Sequence, residues 1–472
     1  MKLRTVIFGC AGAVFACACS LAPDYDAPPA LPQPQVDAFR EGGEWLPAAP
    51  ADTAGQDAWW QAFGDPQLDG LQQQLRDANP DLDAAVARYQ QARSVARRTW
   101  SNVFPTVDAD ASFQREHTSA NAPSSDGDRV LRNDFSADAA LSWEIDLFGR
   151  LRNAADGAGK RADASAGDLA AIRLSLQAEL AASYFSLRGA DATLVLLEDT
   201  VDAYTRALDL TRNRYNGGIA SAADVDQAET QLQAAHAQLA AVRLKRAQLE
   251  HAIAVLLGLP PALFALERAP LVGDPPPIAV GLPSTLLQRR PDVASAERRV
   301  AAANADIGVA RAAWFPVFSL GALAGYESTE SSNWFEAPSR FWALGTAATI
   351  PLLDAGGRSA LNRQARAAFD EAAANYRSVA LTAYREVEDN LAALHHLADQ
   401  LAASEAASSS AQRAVYHARQ RYTAGVADYI EVTTTQTSAL LAQRTALETR
   451  VSRMNASVAL VRALGGGWTP DQ

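Results

Sequence analysis

Beyond residue 19 the sequence contains no cysteine; Cys10, Cys17 and Cys19 are the three in 472 residues. That excludes a disulfide framework and any thiolate metal site from the body of the chain. Methionine is almost absent as well (Met1 and Met454), so there is no sign of a methionine relay for copper. Lysine is scarce beside arginine, and 42 basic residues against 54 acidic ones leave a net charge of −12. An acidic balance argues against a nucleic acid partner. Past the N-terminus there is no run of about 18 apolar residues, hence no transmembrane helix. Signatures of catalysis are missing too, with no G-x-S-x-G elbow and no phosphate loop. The six histidines (His117, His236, His251, His395, His396 and His417) show no ligand spacing with acids. His395 and His396 are adjacent on a helix, about 100° apart, and are expected to face different sides. These absences predict a protein that is not an enzyme and holds neither cofactor nor metal.

What is present is a long internal repeat. Asn79 to Val107 and Arg290 to Phe318 align without a gap, matching at Pro80/Pro291, Asp81/Asp292, Arg88/Arg299, Phe104/Phe315 and Pro105/Pro316. Downstream, RYNGGIASAADVDQ from Arg214 answers RYTAGVADYIEVTT from Arg421, and Leu257-Gly258 answers Leu464-Gly465. A period of about 210 residues is a duplicated half-molecule and not a solenoid unit. The boundaries read as a first repeat over 58–258, a linker over 259–283, a second repeat over 284–465 and a tail over 466–472.

The first 18 residues read as a secretory signal: Lys2 and Arg4, then an apolar stretch from Val6 to Ala16, then small residues. Ala16-Cys17-Ala18-Cys19-Ser20 resembles a bacterial lipoprotein cleavage site. Cys19 is the favoured lipidated residue, since Cys-Ser-Leu-Ala-Pro-Asp-Tyr looks like a mature lipoprotein start. Cys17, preceded by Val14 and Ala16, is the alternative, and an ordinary signal-peptidase cut is a third reading. Ser20, with no Asp at that position, resembles signals that direct lipoproteins to the outer membrane. Residues 19–57 are rich in Pro, Ala and Asp without periodicity, as in an extended tether.

Within each repeat the hydrophobic period switches from helix to strand and back. Helices are expected at Leu68–Ala78 and from Pro80 to about Trp100; Pro80 suits a first helical position and Asp81 the positive end. Val107, Ala109, Ala111 and Phe113 then alternate with polar residues, as do Phe135, Ala137, Ala139, Leu141, Trp143, Ile145 and Leu147. The second alternation is long for a globular strand and fits one crossing a bilayer at a tilt. The hairpins span 104–147 and 315–351, and Trp314, Trp334 and Trp342 suit aromatic girdles at membrane interfaces. Proline-free stretches over 149–213 and 357–423 then predict helices of about 100 Å. Glycines at Gly217-Gly218 and Gly425 close them, and return helices follow over 222–257 and 428–464. Each return helix is too short for its long neighbour, but stacked end to end with the helix before the hairpin it nearly makes up the length.

Four membrane strands cannot close a barrel, which needs about eight. Open edges in lipid would leave N–H and C=O groups unsatisfied at several kcal/mol each. Either copies share a barrel or the strands lie outside the membrane.

At this point the residues carry a family resemblance. LPSTLLQRRPDVASAERRVAAANADIGVARAAWFPVFSLGA (Leu282 to Ala322), RYNGGIASAADVDQAETQL (Arg214 to Leu232) and IPLLDAGGR (Ile350 to Arg358) resemble the TolC-like outer-membrane factors of tripartite efflux pumps, in their NodT-type lipoprotein branch. The resemblance implies a mainly α fold with membrane β: a long α-helical barrel plus four β-strands per chain in a shared 12-stranded trimeric β-barrel. It implies a passive exit duct in the outer membrane, working with a periplasmic adaptor (membrane fusion) protein and an inner-membrane transporter, and held to outer-membrane lipids by its N-terminal anchor. By resemblance, the turns after Tyr215 and Tyr422 close inward. Carboxylates gathered there by threefold symmetry repel one another and attract cations, which makes Asp224, Asp428 and Glu431, with Tyr422, the gate candidates. Thr434 and Ala427 depart from the acidic and basic residues often found in this turn, so a gate built on those contacts is not expected. Arg214, Gly218, Ser221, Ala222, Arg421 and Gly425 are expected to shape adaptor grooves. The rival reading is a non-channel coiled-coil lipoprotein, a spacer or adhesin, against which the paired hairpins count.

Overall fold

The computed structural model describes residues 20–30, 39–40, 56–117, 119, 131–271, 273–278 and 290–466. The expected signal segment, Cys19, much of the tether and the tail beyond 466 lie outside the described residues. The helices are α1 (Pro66–Ala78), α2 (Pro80–Ser101), α3 (Arg150–Asn216), α4 (Ala222–Leu256), α5 (Pro291–Ala312), α6 (Gly357–Thr423) and α7 (Tyr429–Ala463). The strands are β1 (Thr106–His117), β2 (Leu131–Ile145), β3 (Val317–Ser328) and β4 (Arg340–Thr349). Corresponding elements of the two copies match in length: 22 residues for α2 and α5, 67 for α3 and α6, and 35 for α4 and α7. Strands reach beyond the sequence expectation at β1 and stop short of Pro351 at β4. Proline cannot donate to a ladder, so β4 ends before it.

The chain forms two compact units, and each draws segments from both copies. One comprises 1–29, 88–166 and 295–376; the other comprises 30–87, 167–294 and 377–472. The first holds the sheet, in the order β1-β2-β3-β4 with antiparallel neighbours throughout. No residue of the four strands is buried, so the sheet has no core of its own.

The second unit has its core along the helices. Trp60, Leu68, Leu71 and Leu75 pack with Leu180, Tyr184, Leu187, Ile253, Leu257, Met454 and Val458. The α1 side chains in this set recur every three or four residues, one stripe of a helix facing its neighbours. Asp65 starts α1 by accepting from the backbone N–H groups of Gln67 and Leu68. Nearby, Arg188 and Asp191 are each 2 % exposed and pair at 2.9 Å, and Arg246 reaches the other oxygen of Asp191 at 2.6 Å. The same guanidinium groups donate to the carbonyls of Glu267 and Leu266, which ties the segment after α4 to α3 and α4.

End-to-end junctions form where a return helix meets the start of another helix. The buried Asn79 side chain donates to the Leu256 carbonyl at 2.7 Å and accepts from the Leu82 N–H at 2.9 Å. One amide thus serves the C-terminus of α4 and the N-terminus of α2. Gly258 has φ +69° and lies so close that a Cβ would stand 2.2 Å from the Ala78 carbonyl oxygen, so only glycine fits. In the second copy Arg290 takes the role of Asn79, donating to the Ala463 carbonyl at 3.2 Å and to Glu386 at 2.7 Å.

Candidate functional site

Two regions carry the chemistry, one in each unit. In the sheet, the register decides which side chains share a face. Val107 pairs with Leu141, Ala109 with Ala139, Ala111 with Ala137 and Phe113 with Phe135. The same face continues through Leu141↔Ala322, Trp143↔Leu320, Ala322↔Leu344 and Ala324↔Trp342. Asp108, Asp110, Ser112, Ser136 and Asp138 alternate onto the opposite face, where the Ser112 and Ser136 hydroxyls lie 2.7 Å apart. The sheet is therefore apolar on one side and polar on the other, and the apolar side is uncovered, with Trp342 79 % exposed. In the second hairpin glycines and alanines blur the alternation along the sequence, and the register restores it. Trp314 precedes β3 and carries the Arg358 guanidinium 4.8 Å above its ring. Trp334 lies past the other end of β3 and donates to the Tyr326 carbonyl. Aromatic groups thus mark both ends of this hairpin.

The segment from Ser20 to Pro29 belongs to the same unit. The Ser20 hydroxyl donates to Asn153 Oδ1 at 2.9 Å, Arg311 donates to the Leu21 carbonyl, and Asn304 donates to the Pro23 carbonyl. Asn153 is at the start of α3 and Arg311 at the end of α5, eight residues after β2 and six before β3. Ser20 is accordingly held at the strand–helix junctions. Tyr25 donates to Glu297 at 2.5 Å, and burial with this acceptor pushes its phenol pKa up.

The second region is the pair of turns after α3 and α6. Gly218 and Gly425 have φ +74° and +76°, the left-handed conformation that ends a helix. The Ile219 N–H returns to the Arg214 carbonyl at 2.8 Å, and the Val426 N–H to the Arg421 carbonyl at 3.0 Å. Behind the turns Tyr204, Leu208, Leu232, Tyr422, Tyr429 and Val432 form one apolar cluster. Ile219, Val426 and Ile430 stay about two-thirds exposed or more, at 70 %, 67 % and 67 %.

Side chains at the two turns differ. Ser221 caps α4 by accepting from the Asp224 N–H, and the Asp224 carboxylate accepts from the Ser221 N–H at 2.9 Å. This reciprocal box was visible as S-x-x-D, a signal the sequence reading passed over. Asp428 is the N-cap of α7 but makes no side-chain cap bond. Glu431, at the position of Asp224, instead pairs with Arg421 at 3.1 Å. Tyr422 is buried; its ring meets Tyr429 at 5.2 Å, and Arg214 lies 4.6 Å above it. Its hydroxyl finds no partner among the described residues. Burial pushes the Tyr429 phenol up to about 12. Ala222, Arg421, Asp428 and Thr434 are exposed, and Ala427 is partly so.

One expectation is corrected. His395 and His396 do not diverge: their rings meet edge-on with centroids 5.1 Å apart, and with Asp399 they bring ligand atoms within 4.8 Å of one another, a spacing with an acid that was not expected. Adjacent Cα–Cβ bonds point about 100° apart, but imidazoles are long enough to converge beyond Cβ. Among the described residues no helix is long and apolar enough to cross a membrane.

Known proteins sharpen this picture. The family described as outer membrane efflux protein matches the chain over residues 71–259 and 282–466, one match on each copy. The chain belongs to that family. It is 34% identical over 455 residues to the antibiotic efflux pump outer membrane protein ArpC of Pseudomonas putida, covering 95% of this chain and 93% of that one. The outer membrane protein OprJ of Pseudomonas aeruginosa is 33% identical, with 96% and 93% covered. Among solved structures, the outer-membrane channel OprN superposes with a TM-score of 0.88 at 29% identity, covering 95% of this chain and all of that one. The protein is accordingly an exit duct of an efflux system in the cell outer membrane, and its family consists of channels, not enzymes.

Proposed function

We propose that this duct works as a homotrimer gated at its paired turns, docked there by a periplasmic adaptor and supplied by an inner-membrane transporter. The observation that carries the trimer is the open sheet. β1 and β4 each have one paired side, and an amphipathic sheet with free edges is stable in a bilayer only when other copies complete it. Substrates are organic compounds of the sort the relatives are named for, and conduction through the duct is passive.

Glu431, Asp428 and Asp224, with Tyr422 behind them, are the gate residues in this reading. Three copies of these acids around one axis repel each other and draw in cations. Glu431 and Asp428 weigh more than Asp224, whose carboxylate is spent on capping its own helix. The adaptor surface takes in Arg214, Gly218, Ser221, Ala222, Arg421 and Gly425, with exposed Ile219 and Val426 as apolar knobs. Cys19 carries the lipid in this reading, supported by Ser20, its neighbour, being held beside the strand–helix junctions where a bilayer surface would lie.

Planar-bilayer recordings test the gate. Glu431→Gln should lower cation selectivity, and unchanged selectivity removes that residue from the gate. Detergent-purified protein running as a monomer would overturn the trimer. For docking, Ala222→Trp should abolish efflux in cells while leaving single-channel conductance intact.

A further inference from the structure

We propose that His395, His396 and Asp399 on α6 form a binding site for a divalent transition-metal ion, one of Cu2+, Ni2+ or Zn2+. The donor atoms of all three lie within 4.8 Å of one another. Helix geometry explains the convergence. Asp399 stands one turn beyond the histidines, about 40° around the axis from His395 and 60° from His396, between the two. Side chains lean toward the helix N-terminus, so its carboxylate tilts back toward both imidazoles, which themselves meet edge-on.

Nothing nearby competes for the acid. Asp399 forms no ion pair or hydrogen bond among the described residues. Between Arg385 and Arg413 the helix carries no lysine or arginine, while Glu386, Glu388, Asp389, Asp399 and Glu405 fall in that stretch. All three ligands are exposed, so an ion reaches them without rearrangement of the helix.

The donor set selects the ion. Two imidazoles and a carboxylate suit Cu2+, Ni2+ and Zn2+, whereas Mg2+ and Ca2+ prefer shells of oxygen. Three protein ligands leave a coordination position open, so the bound ion is exchangeable and not structural. The site lies about 36 Å along α6 from its end at Thr423, and the inference stands apart from the gate reading.

Calorimetry on tag-free trimer stripped with chelator tests it, with Zn2+ as the probe. One ion per protomer is expected, bound undisturbed by millimolar Mg2+. His395→Ala with His396→Ala should weaken binding at least about tenfold, and Asp399→Asn severalfold, while His417→Ala leaves it unchanged. Because the ligands are exposed, melting temperature should hold in every variant. The Cu2+ complex should show nitrogen couplings in its paramagnetic resonance spectrum. Equal Zn2+ affinity in the double histidine variant, displacement by Mg2+, or a spectrum without nitrogen couplings would overturn the site.

Discussion

The two copies of the repeat share a backbone and divide the side-chain work unequally. At the end-to-end junctions, Asn79 serves two helix ends with one neutral amide. Its counterpart Arg290 serves one carbonyl but also holds Asp292 and Glu386. At the turns, the first copy folds its acid into a capping box, and the second sends its acid across to Arg421. Gly218 and Gly425 have nearly the same φ, +74° and +76°, so these turn glycines are not the source of the difference. A shared scaffold therefore leaves each copy free to be local or cross-linking. In both places it is the second copy's residue that forms an ion pair.

The sharpest break of that comparison is at the end-to-end junctions. Arg290→Ala should cost about 3 kcal/mol, since it removes the cation paired with Glu386 and Asp292 and the donor to a helix-end carbonyl; Asn79→Ala should cost about 2 kcal/mol. Thermal melting of the trimer ranks them, and an equal or reversed order would show that charge adds nothing at the second junction. At the turns, Ser221→Ala should destabilise by about 1 kcal/mol, whereas Asp428→Ala should be near neutral because Asp428 makes no cap bond. Hydrogen exchange at the first turns of α4 and α7 reads this directly; matching losses would mean Asp428 caps in solution.

Conductance gives the functional version. Arg421→Ala releases Glu431 from its exposed pair and should raise basal current modestly, since such pairs contribute about 0–1 kcal/mol. Arg214→Ala should act instead through the Tyr422 ring. Identical effects of the two substitutions on gating would erase the distinction between the turns. A further contrast concerns pH. Tyr429 is raised to about 12 by burial, against about 10 unfolded. Its neutral phenol thus contributes stability that is complete below pH 10 and lost as pH rises through 12. The first copy has Ala222 at the equivalent position and no such titration. Tyr429→Phe should flatten the alkaline limb of the melting profile, and an unchanged limb would assign it to another group.

Much of the fold was legible because long elements carry strong periodic signals. The α3 and α6 rods needed only the absence of proline and a steady apolar stripe, and Gly218 and Gly425 marked their ends. The Leu323–Gly325 stretch was harder, since small residues weaken alternation and only pairing with Asp138 to Ala140 reveals the face. The site was legible in position and not in bonding. Asp224, Asp428 and Glu431 were all visible as acids at a turn, yet whether an acid caps its own helix or reaches Arg421 depends on rotamers and neighbours that one sequence does not display. The histidine pair failed for a similar reason: counting 100° per residue describes Cβ directions, while ligand atoms sit at the ends of side chains.

The equality of the 67-residue helices, and of the 35-residue helices that return from them, restricts how this protein can change. One inserted residue advances everything after it by about 1.5 Å and turns it by about 100°. In α3 alone, that would carry Arg214 away from the ring of Tyr422, which sits on the other copy's helix. Length is then a heritable agreement between the copies: insertions and deletions survive in matched sets, on the outward and returning helices of both halves together.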